Sequence, residues 1–287
     1  MTARTIDGKA LAAEVRQDLA LRVRELAQRG RSVRLDALLV GGGPSASIYA
    51  RNQEKACGEL GIEHVLHELP EGAGEDEVAR CVERLNDDPD VSAVMVHLPL
   101  PALVDTERIQ SLISIGKDVE GVNPANIGNV VYGRRSLMPC TALAVIEMIE
   151  STGIDLPGTR CVCVGASNIV GKPIVVLLMR AQATVISTNI YTTQIEALTR
   201  TADVLVTAVG RPGLVTADMV RPGAVVIDVG ITRVKGADGR TRTVGDVAFN
   251  EVAEVVGWLS PVPGGVGPMT VAMLLRNTVD AAEKTSR

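Results

Sequence analysis

Aromatic side chains are almost missing from this 287-residue chain; Trp258, Phe249, Tyr49, Tyr132 and Tyr191 are the full set. So few rings exclude the stacking platforms that bind single-stranded nucleic acid. An excess of positive charge is missing too. Asp and Glu number 34 against 29 Lys and Arg, the net charge is −5, and no block of one sign occurs. No basic footprint for nucleic acid or an anionic membrane therefore exists. There is no signal-peptide pattern and no apolar run long enough to span a bilayer, so a cytoplasmic protein is expected. The five cysteines, Cys57, Cys81, Cys140, Cys161 and Cys163, are odd in number and lack metal spacing. They read as reduced core thiols, and no metal is expected.

Apolar residues are ample, 46 % of the chain, and Ala and Val dominate them. The length suits one large or two ordinary α/β domains. Leu11, Val15, Leu19, Val23 and Leu26 recur at helical spacing and predict a helix over 6–29. Strands are expected at 35–40, 63–69 and 91–96, with helices at 44–60 and 75–85 between them. That βαβ alternation implies a parallel sheet. Residues 99–139 read as loop-rich with one short helix near 106–113. A helix over 141–152 is expected to bridge to a second domain.

The second domain opens with Cys161-Val-Cys-Val-Gly-Ala-Ser-Asn-Ile-Val-Gly171. A β-rich run ends at Gly165 and a helix is predicted from about Asn168. Gly165-x-Ser167-x-x-x-Gly171 resembles a dinucleotide-binding turn with its last glycine one residue late. Such a turn offers backbone N–H groups and a helix N-terminus to a pyrophosphate. Alone, a plain strand-turn-helix explains it as well. Two further apolar runs, 204–210 and 224–230, also end in glycine, which predicts a crevice along one sheet edge.

Ser260-Pro-Val-Pro-Gly-Gly-Val-Gly-Pro-Met-Thr270 holds three prolines and three glycines in eleven residues. It reads as a fixed loop that approaches a flat ligand closely, with Pro268 opening a terminal helix.

These stretches resemble the methylenetetrahydrofolate dehydrogenase/cyclohydrolase family, the bifunctional folate enzymes of the bacterial FolD type. The resemblance extends to Gly43-Pro-Ser, Tyr49-Ala-Arg-Asn-Gln53, Val96-His-Leu-Pro-Leu-Pro101, Lys117-Asp-Val-Glu-Gly121, Pro139-Cys-Thr141 and Val244-Gly-Asp-Val247. It implies a two-domain α/β fold. A catalytic, folate-binding domain (1–140, completed by a terminal helix over 268–287) precedes a Rossmann-like NAD(P)-binding domain (141–267). It also implies a tetrahydrofolate derivative as substrate, NADP or NAD as cofactor, and a homodimer. Tyr49 would stack the folate and Glu120 would bind the pterin. Leu98, Pro99, Pro263, Gly264 and Gly265 would border the substrate. Gly165, Ala166, Ser167, Ile169, Thr188, Asn189, Gly210 and Ile231 would border the dinucleotide.

The reaction centre departs from the family. The family's lysine in Tyr-x-x-x-Lys is Gln53, its partner glutamine is His97, and its pterin-binding aspartate is Glu120. An amide does not titrate in the range of about pH 5 to 9, so Gln53 cannot shuttle a proton as an amine can. Lys55 points about 200° away on a helix. His97, at a strand end, is the candidate to replace it and titrates near neutrality; the alternative is that it only hydrogen-bonds Gln53. The glycine loops are intact, which argues for retuning over decay. Hydride transfer to nicotinamide is therefore expected, with methenyl hydrolysis weak or lost. The rival readings are a paralogue acting on another pterin or imine-like substrate, and a non-catalytic folate or nucleotide sensor. From Ser187 to Thr193 there is no Arg, Lys or His, although Arg180 and Arg200 flank the stretch, so tight selection of a 2′-phosphate is not expected.

Overall fold

Apolar period alternates along the chain between helical and extended, and the elements follow it. The computed structural model describes residues 2–42, 44–134, 136–235 and 239–284, the side chains of 44–49 excepted. After a two-residue β1 (Arg4–Thr5) come α1 (Gly8–Gln28), β2 (Arg34–Val40), α2 (Pro44–Gly58) and β3 (Glu63–Leu69). Then follow α3 (Glu75–Asp87), β4 (Ala93–Val96), α4 (Thr106–Leu112), α5 (Pro124–Val131) and α6 (Cys140–Glu150). The second half holds β5 (Arg160–Val164), α7 (Gly171–Arg180), β6 (Thr184–Thr188), α8 (Ile195–Thr199), β7 (Val204–Thr207) and β8 (Val225–Asp228). It closes with β9 (Thr232–Lys235), β10 (Thr241–Val244), α9 (Phe249–Val252), β11 (Trp258–Leu259) and α10 (Val266–Lys284). Two compact units result. One takes Glu14–Cys140 and the chain from Val271 onward; the other takes the chain up to Ala13 and Thr141–Thr270.

The first unit is built on a parallel sheet in the order β3-β2-β4. Leu38 lies opposite His67 and Val96, and Asp36 opposite Val65 and Val94. Side chains alternate along a strand, so Leu38, Val40, Val94 and Val96 share one face. Val78, Val82 and Leu85 of α3 and Ile109 of α4 close the core over them. Ala37, His64 and Met95 belong to the opposite face. α3 forms because its apolar residues fall on one stripe, and Glu75, Asp76 and Glu77 in its first turn suit the positive end of the helix dipole.

Residues 117–121 are pinned to this sheet. The Val94 N–H donates to the Lys117 carbonyl at 2.8 Å, and Val94 bridges Asp118. Gly121 has φ +67°, and a Cβ there would lie 2.4 Å from the Met138 carbonyl carbon. Asn277 of α10 donates to the carbonyls of Val119 (2.7 Å) and Met138 (2.9 Å). The expectation of one helix in 99–139 needs correction, because α5 is a second. Asn123 caps it, accepting from the Ala125 N–H at 2.8 Å, and Pro124 opens it. Eight residues are too short to show a clear apolar period, so the cap was its only sequence signal.

The second unit has the sheet order β1-β11-β8-β7-β5-β6, and every neighbouring pair is parallel. β6 lies on one side of β5 and β7 on the other, which makes a switch point at the C-terminal end of β5. β1 pairs with β11, so the chain's first strand sits in this sheet. The polar hairpin β9–β10 also belongs to this unit; it is antiparallel, and residues 236–238 lie outside the described residues. α7 starts at Gly171 rather than near Asn168. The Ser167 hydroxyl accepts from the N–H groups of Val170 (3.3 Å) and Gly171 (3.2 Å), so a turn intervenes. α10 starts two residues before Pro268; a proline in the first turn forfeits no intrahelical bond.

Replacing Asn277 with Ala removes one donor from each of two carbonyls at once. We expect a stability loss of about 2 kcal/mol, read from the urea midpoint at unchanged slope. A loss within error of zero would mean that water takes over both acceptors.

Candidate active site

In the first unit, three of the expected residues gather around the C-terminal end of β4. His97 follows the strand, is 5 % exposed, and its backbone N–H donates to the Leu38 carbonyl at 2.8 Å. Burial pushes its imidazole below the ordinary value of 6.5, and a charge on His64 would push it the same way. Both effects favour the neutral imidazole at pH 7. Gln53 of α2 is 4 % exposed and donates from Nε2 to the Met95 sulfur at 2.7 Å; its Oε1 has no partner. Glu120 joins the group through the Val96 backbone amide. Burial and the neighbouring Asp118 carboxylate raise Glu120 to about 7, against which the Val96 bond acts only in part. Leu98 is 47 % exposed and Pro99 exposed, at the mouth of the same strand. Tyr49 lies on α2, but its side chain and residue Gly43 fall outside the described residues.

Gln53 also lines a cavity of about 260 Å³ with Arg16, Asn52, Lys55, Glu59 and Val271. Arg16 Nε is buried there without a partner. Lys55 is mostly exposed and pairs with Glu59 at 4.0 Å. The cavity thus holds an unsatisfied donor on Arg16 and an unsatisfied acceptor on Gln53. Such a pair fits a ligand carrying both a carboxylate and an N–H.

In the second unit, the turn after β5 can only be made of glycine. A Cβ at Gly165 (φ +105°) would lie 2.5 Å from the Ala208 carbonyl oxygen. One at Gly171 would lie 2.0 Å from the Gly165 oxygen. Ser167 and Ile169 are exposed in the turn and Ala166 is half-buried. This cradle, at a switch point and at the N-terminus of α7, fits a dinucleotide pyrophosphate. Gly210 has φ +77° and accepts from the Thr232 hydroxyl at 3.0 Å. Ile231 is 64 % exposed beside it in sequence. Thr188 is fully buried, and its hydroxyl is committed to the Cys163 carbonyl at 3.2 Å. Asn189 is exposed, but its side chain closes a turn. The Asn189 N–H donates to Thr192 Oγ1 and the Tyr191 N–H to Asn189 Oδ1, both at 2.9 Å. Gly264 has φ +109°, and Gly265 donates to the Pro261 carbonyl at 2.8 Å. A Cβ at Gly8 would lie 1.8 Å from the Gly265 oxygen, so this loop is clamped against the start of α1. Pro263 stands exposed at its tip.

Three buried aspartates escaped the reading of the sequence. Asp118 accepts from the N–H groups of Val122 (3.2 Å) and Asn123 (2.8 Å) and from Asn126 Nδ2 (2.8 Å). Asp228 and Asp246 do the same at the ends of β8 and β10. Their sequence signal was an aspartate within three residues of a glycine, as in Asp118-Val-Glu-Gly, Asp228-Val-Gly and Val-Gly-Asp246. Cys140 donates to the Val119 carbonyl at 3.1 Å, and burial raises its thiol well above 9, so it is unreactive. Among the described residues, no group of three or more His, Cys, Asp or Glu could hold a metal ion, and no helix is long and apolar enough to cross a membrane.

Comparison with known proteins agrees with this arrangement. The profile of the tetrahydrofolate dehydrogenase/cyclohydrolase catalytic domain matches residues 6–120. That of the NAD(P)-binding domain of tetrahydrofolate dehydrogenase/cyclohydrolase matches residues 139–286. The bifunctional protein FolD of Moorella thermoacetica is 45 % identical over 284 residues, 99 % of this chain and 100 % of its own. That of Cupriavidus necator is 46 % identical over 286 residues and covers 100 % of both chains. The crystal structure of the bifunctional FolD methylenetetrahydrofolate dehydrogenase/cyclohydrolase from Campylobacter jejuni has a TM-score of 0.94 at 39 % identity, over 98 % of this chain and 99 % of that one. The Trypanosoma brucei methylenetetrahydrofolate dehydrogenase-cyclohydrolase, solved with NADP and an inhibitor, gives 0.93 at 35 % identity over 100 % and 99 %. This chain belongs to the tetrahydrofolate dehydrogenase/cyclohydrolase family.

Proposed function

We propose that this protein oxidises 5,10-methylenetetrahydrofolate to the methenyl cation with NAD(P), and hydrolyses that cation poorly or not at all. The observation that carries the second half is Gln53, a buried amide where the family has lysine. The dinucleotide supplies the hydride acceptor when bound. The chain's own work is orientation. Gly165, Ala166, Ser167, Ile169, Gly210 and Ile231 hold the dinucleotide. Tyr49 stacks the folate, and Leu98, Pro99, Pro263, Gly264 and Gly265 border it. Glu120 grips the pterin; raised to about 7, it accepts or donates a hydrogen bond near neutral pH. The Arg16 cavity takes the carboxylate-bearing tail. His97, a neutral base two residues after Gln53's partner Met95, takes the proton role of the lost lysine in this reading. The three altered positions also support a second reading, a relative that acts on another pterin; turnover with methylenetetrahydrofolate separates the two. The protein is proposed to act as a homodimer, as the family resemblance implies, in a reducing cytoplasm that suits its five unpaired buried thiols.

Restoring the amine tests the hydrolase half. Gln53→Lys should raise methenyl hydrolysis at least tenfold, with dehydrogenase kcat within a few-fold. His97→Gln should abolish any residual hydrolysis and remove an inflection lying below pH 6.5. A wild type that hydrolyses methenyltetrahydrofolate as fast as it forms it would refute this.

Cofactor choice follows from the turn after β6. It has no cationic side chain from Ser187 to Thr193, and the N–H groups of Asn189 and Tyr191 are already used within the turn. The ratio of kcat/KM for NAD over NADP should be one or greater. A strong preference for NADP would contradict the assignment.

Glu120 should show its cost in the pH dependence of stability. Its carboxyl titrates at about 7 in the fold and at 4.5 unfolded, so the folded form binds the proton more tightly. The ionised group therefore costs stability above pH 7, and the cost disappears as pH falls towards 4.5. Glu120→Gln should gain about 1–3 kcal/mol at pH 8 and nothing at pH 4.5, while lowering turnover. Equal stability of both proteins at pH 8 would count against a buried, functional Glu120.

A further inference from the structure

Two carboxylates interlock at the C-terminal ends of β7 and β8, and neither has a role in the reading above. Asp246 is fully buried. One oxygen accepts from the Thr207 hydroxyl (2.9 Å) and the Val209 N–H (2.7 Å), the other from the Arg211 N–H (2.7 Å). These donors span residues 207–211, the loop that ends β7. Asp228, 3 % exposed, holds the next layer. It accepts from the N–H groups of Gly230 (2.9 Å), Asp246 (3.0 Å) and Val247 (2.9 Å), and its own N–H donates to the Ser260 hydroxyl at 2.8 Å. Glycine faces admit both carboxylates. A Cβ at Gly230 would lie 2.2 Å from Asp246 Oδ1, and one at Gly245 would lie 1.9 Å from Asp228 Oδ2.

We propose that Asp246 is a positioning residue for the dinucleotide: it sets the Val209–Arg211 loop against the Gly165 turn, and Asp228 sets Asp246. The inference rests on the NAD(P) reading of this unit. The link to the ligand is steric. Ala208 leads into that loop, and its carbonyl oxygen already sits where a Cβ of Gly165 would be. That oxygen is 2.5 Å from the Cβ position, inside contact distance, so a displaced loop would press on the turn that faces the pyrophosphate. Gly230 and Ile231 are set by the same pair, through the Gly230 N–H bond to Asp228 and the contact of Gly230 with Asp246. Backbone N–H bonds to a buried carboxylate are charge-assisted and aim the loop more strictly than neutral bonds would. Carrying two desolvated carboxylates there is costly for a fold that needs only rigidity.

The test uses the full-length protein, calorimetric titration with NAD and with NADP, and steady-state kinetics with methylenetetrahydrofolate. Asp246→Asn replaces one acceptor oxygen with a donor. It should raise the dinucleotide Kd and KM about tenfold while the folate KM stays within twofold. Thr207→Val, a milder change that removes one donor, should raise the same Kd about threefold. Val256→Ala truncates a buried side chain of the same unit; it should lower Tm and leave the dinucleotide Kd within twofold of wild type. Asp246→Asn and Thr207→Val proteins that lose Tm but bind the dinucleotide like wild type would overturn the proposal. A Kd raised equally by Val256→Ala would also overturn it, because destabilisation alone would then suffice. A wild type that binds neither dinucleotide would overturn the functional reading, and this proposal with it.

Discussion

A carboxylate buried without a cation must collect backbone N–H groups, and much of this structure depends on that constraint. Asp118 meets it beside β4, and Asp228 and Asp246 meet it at the C-terminal side of the second unit's parallel sheet. There the strands end and their loops present N–H groups with no ladder partner. One aspartate can satisfy several such donors at once and fix a loop that has no apolar residues to bury. The second unit uses the device at the edge where parallel α/β folds bind ligands. The glycines follow from it: Gly230 and Gly245 leave room for a carboxylate, and Gly121 turns the chain directly after Asp118 and Glu120.

The reaction centre obeys the opposite logic. Gln53, His97 and Glu120 are buried or half-buried, and none is held by a cluster of backbone N–H bonds like those of the aspartates; Gln53 Oε1 has no partner. Burial keeps His97 neutral and holds Glu120 near half-ionisation at pH 7. Gln53 carries no charge at any pH. The site thus lacks the positive charge that a lysine at position 53 would have added. Such a site still orients a folate ring, but it gives less help to water attacking the methenyl cation. The proposed split between the two activities comes from this difference in charge.

Much of the fold was legible because its strands are buried and its helices amphipathic. β3 was read residue for residue as the strand between two helices, and the start of α3 was read at Glu75. What escaped was short or polar. β1 and β11 have two residues each, and no periodicity exists in two residues. β9 and β10 are mostly Thr, Arg and Lys at the surface, so they carry no apolar alternation to find. α5 was visible only as a cap. In the site, the glycine turn and the strand-end histidine were found because each has a local steric or chemical signature. Asp118, Asp228 and Asp246 were missed because an aspartate close to a glycine is, in sequence, most often an exposed turn.

By itself the sequence determined which groups are available: an amide that cannot titrate at position 53, glycines where no Cβ fits, and no cation after β6. These are properties of single residues and their immediate neighbours. Only the tertiary structure decided which groups meet and in what charge state. Thr188, a natural choice to face the cofactor, is turned inward onto Cys163 by the strand's alternation. Asp246, distant in sequence from Thr207 and Val209, is brought to them by sheet order. The ionisation of His97, Glu120 and Asp228 depends on desolvation, which is set by everything packed around them and so lies beyond any local stretch of sequence.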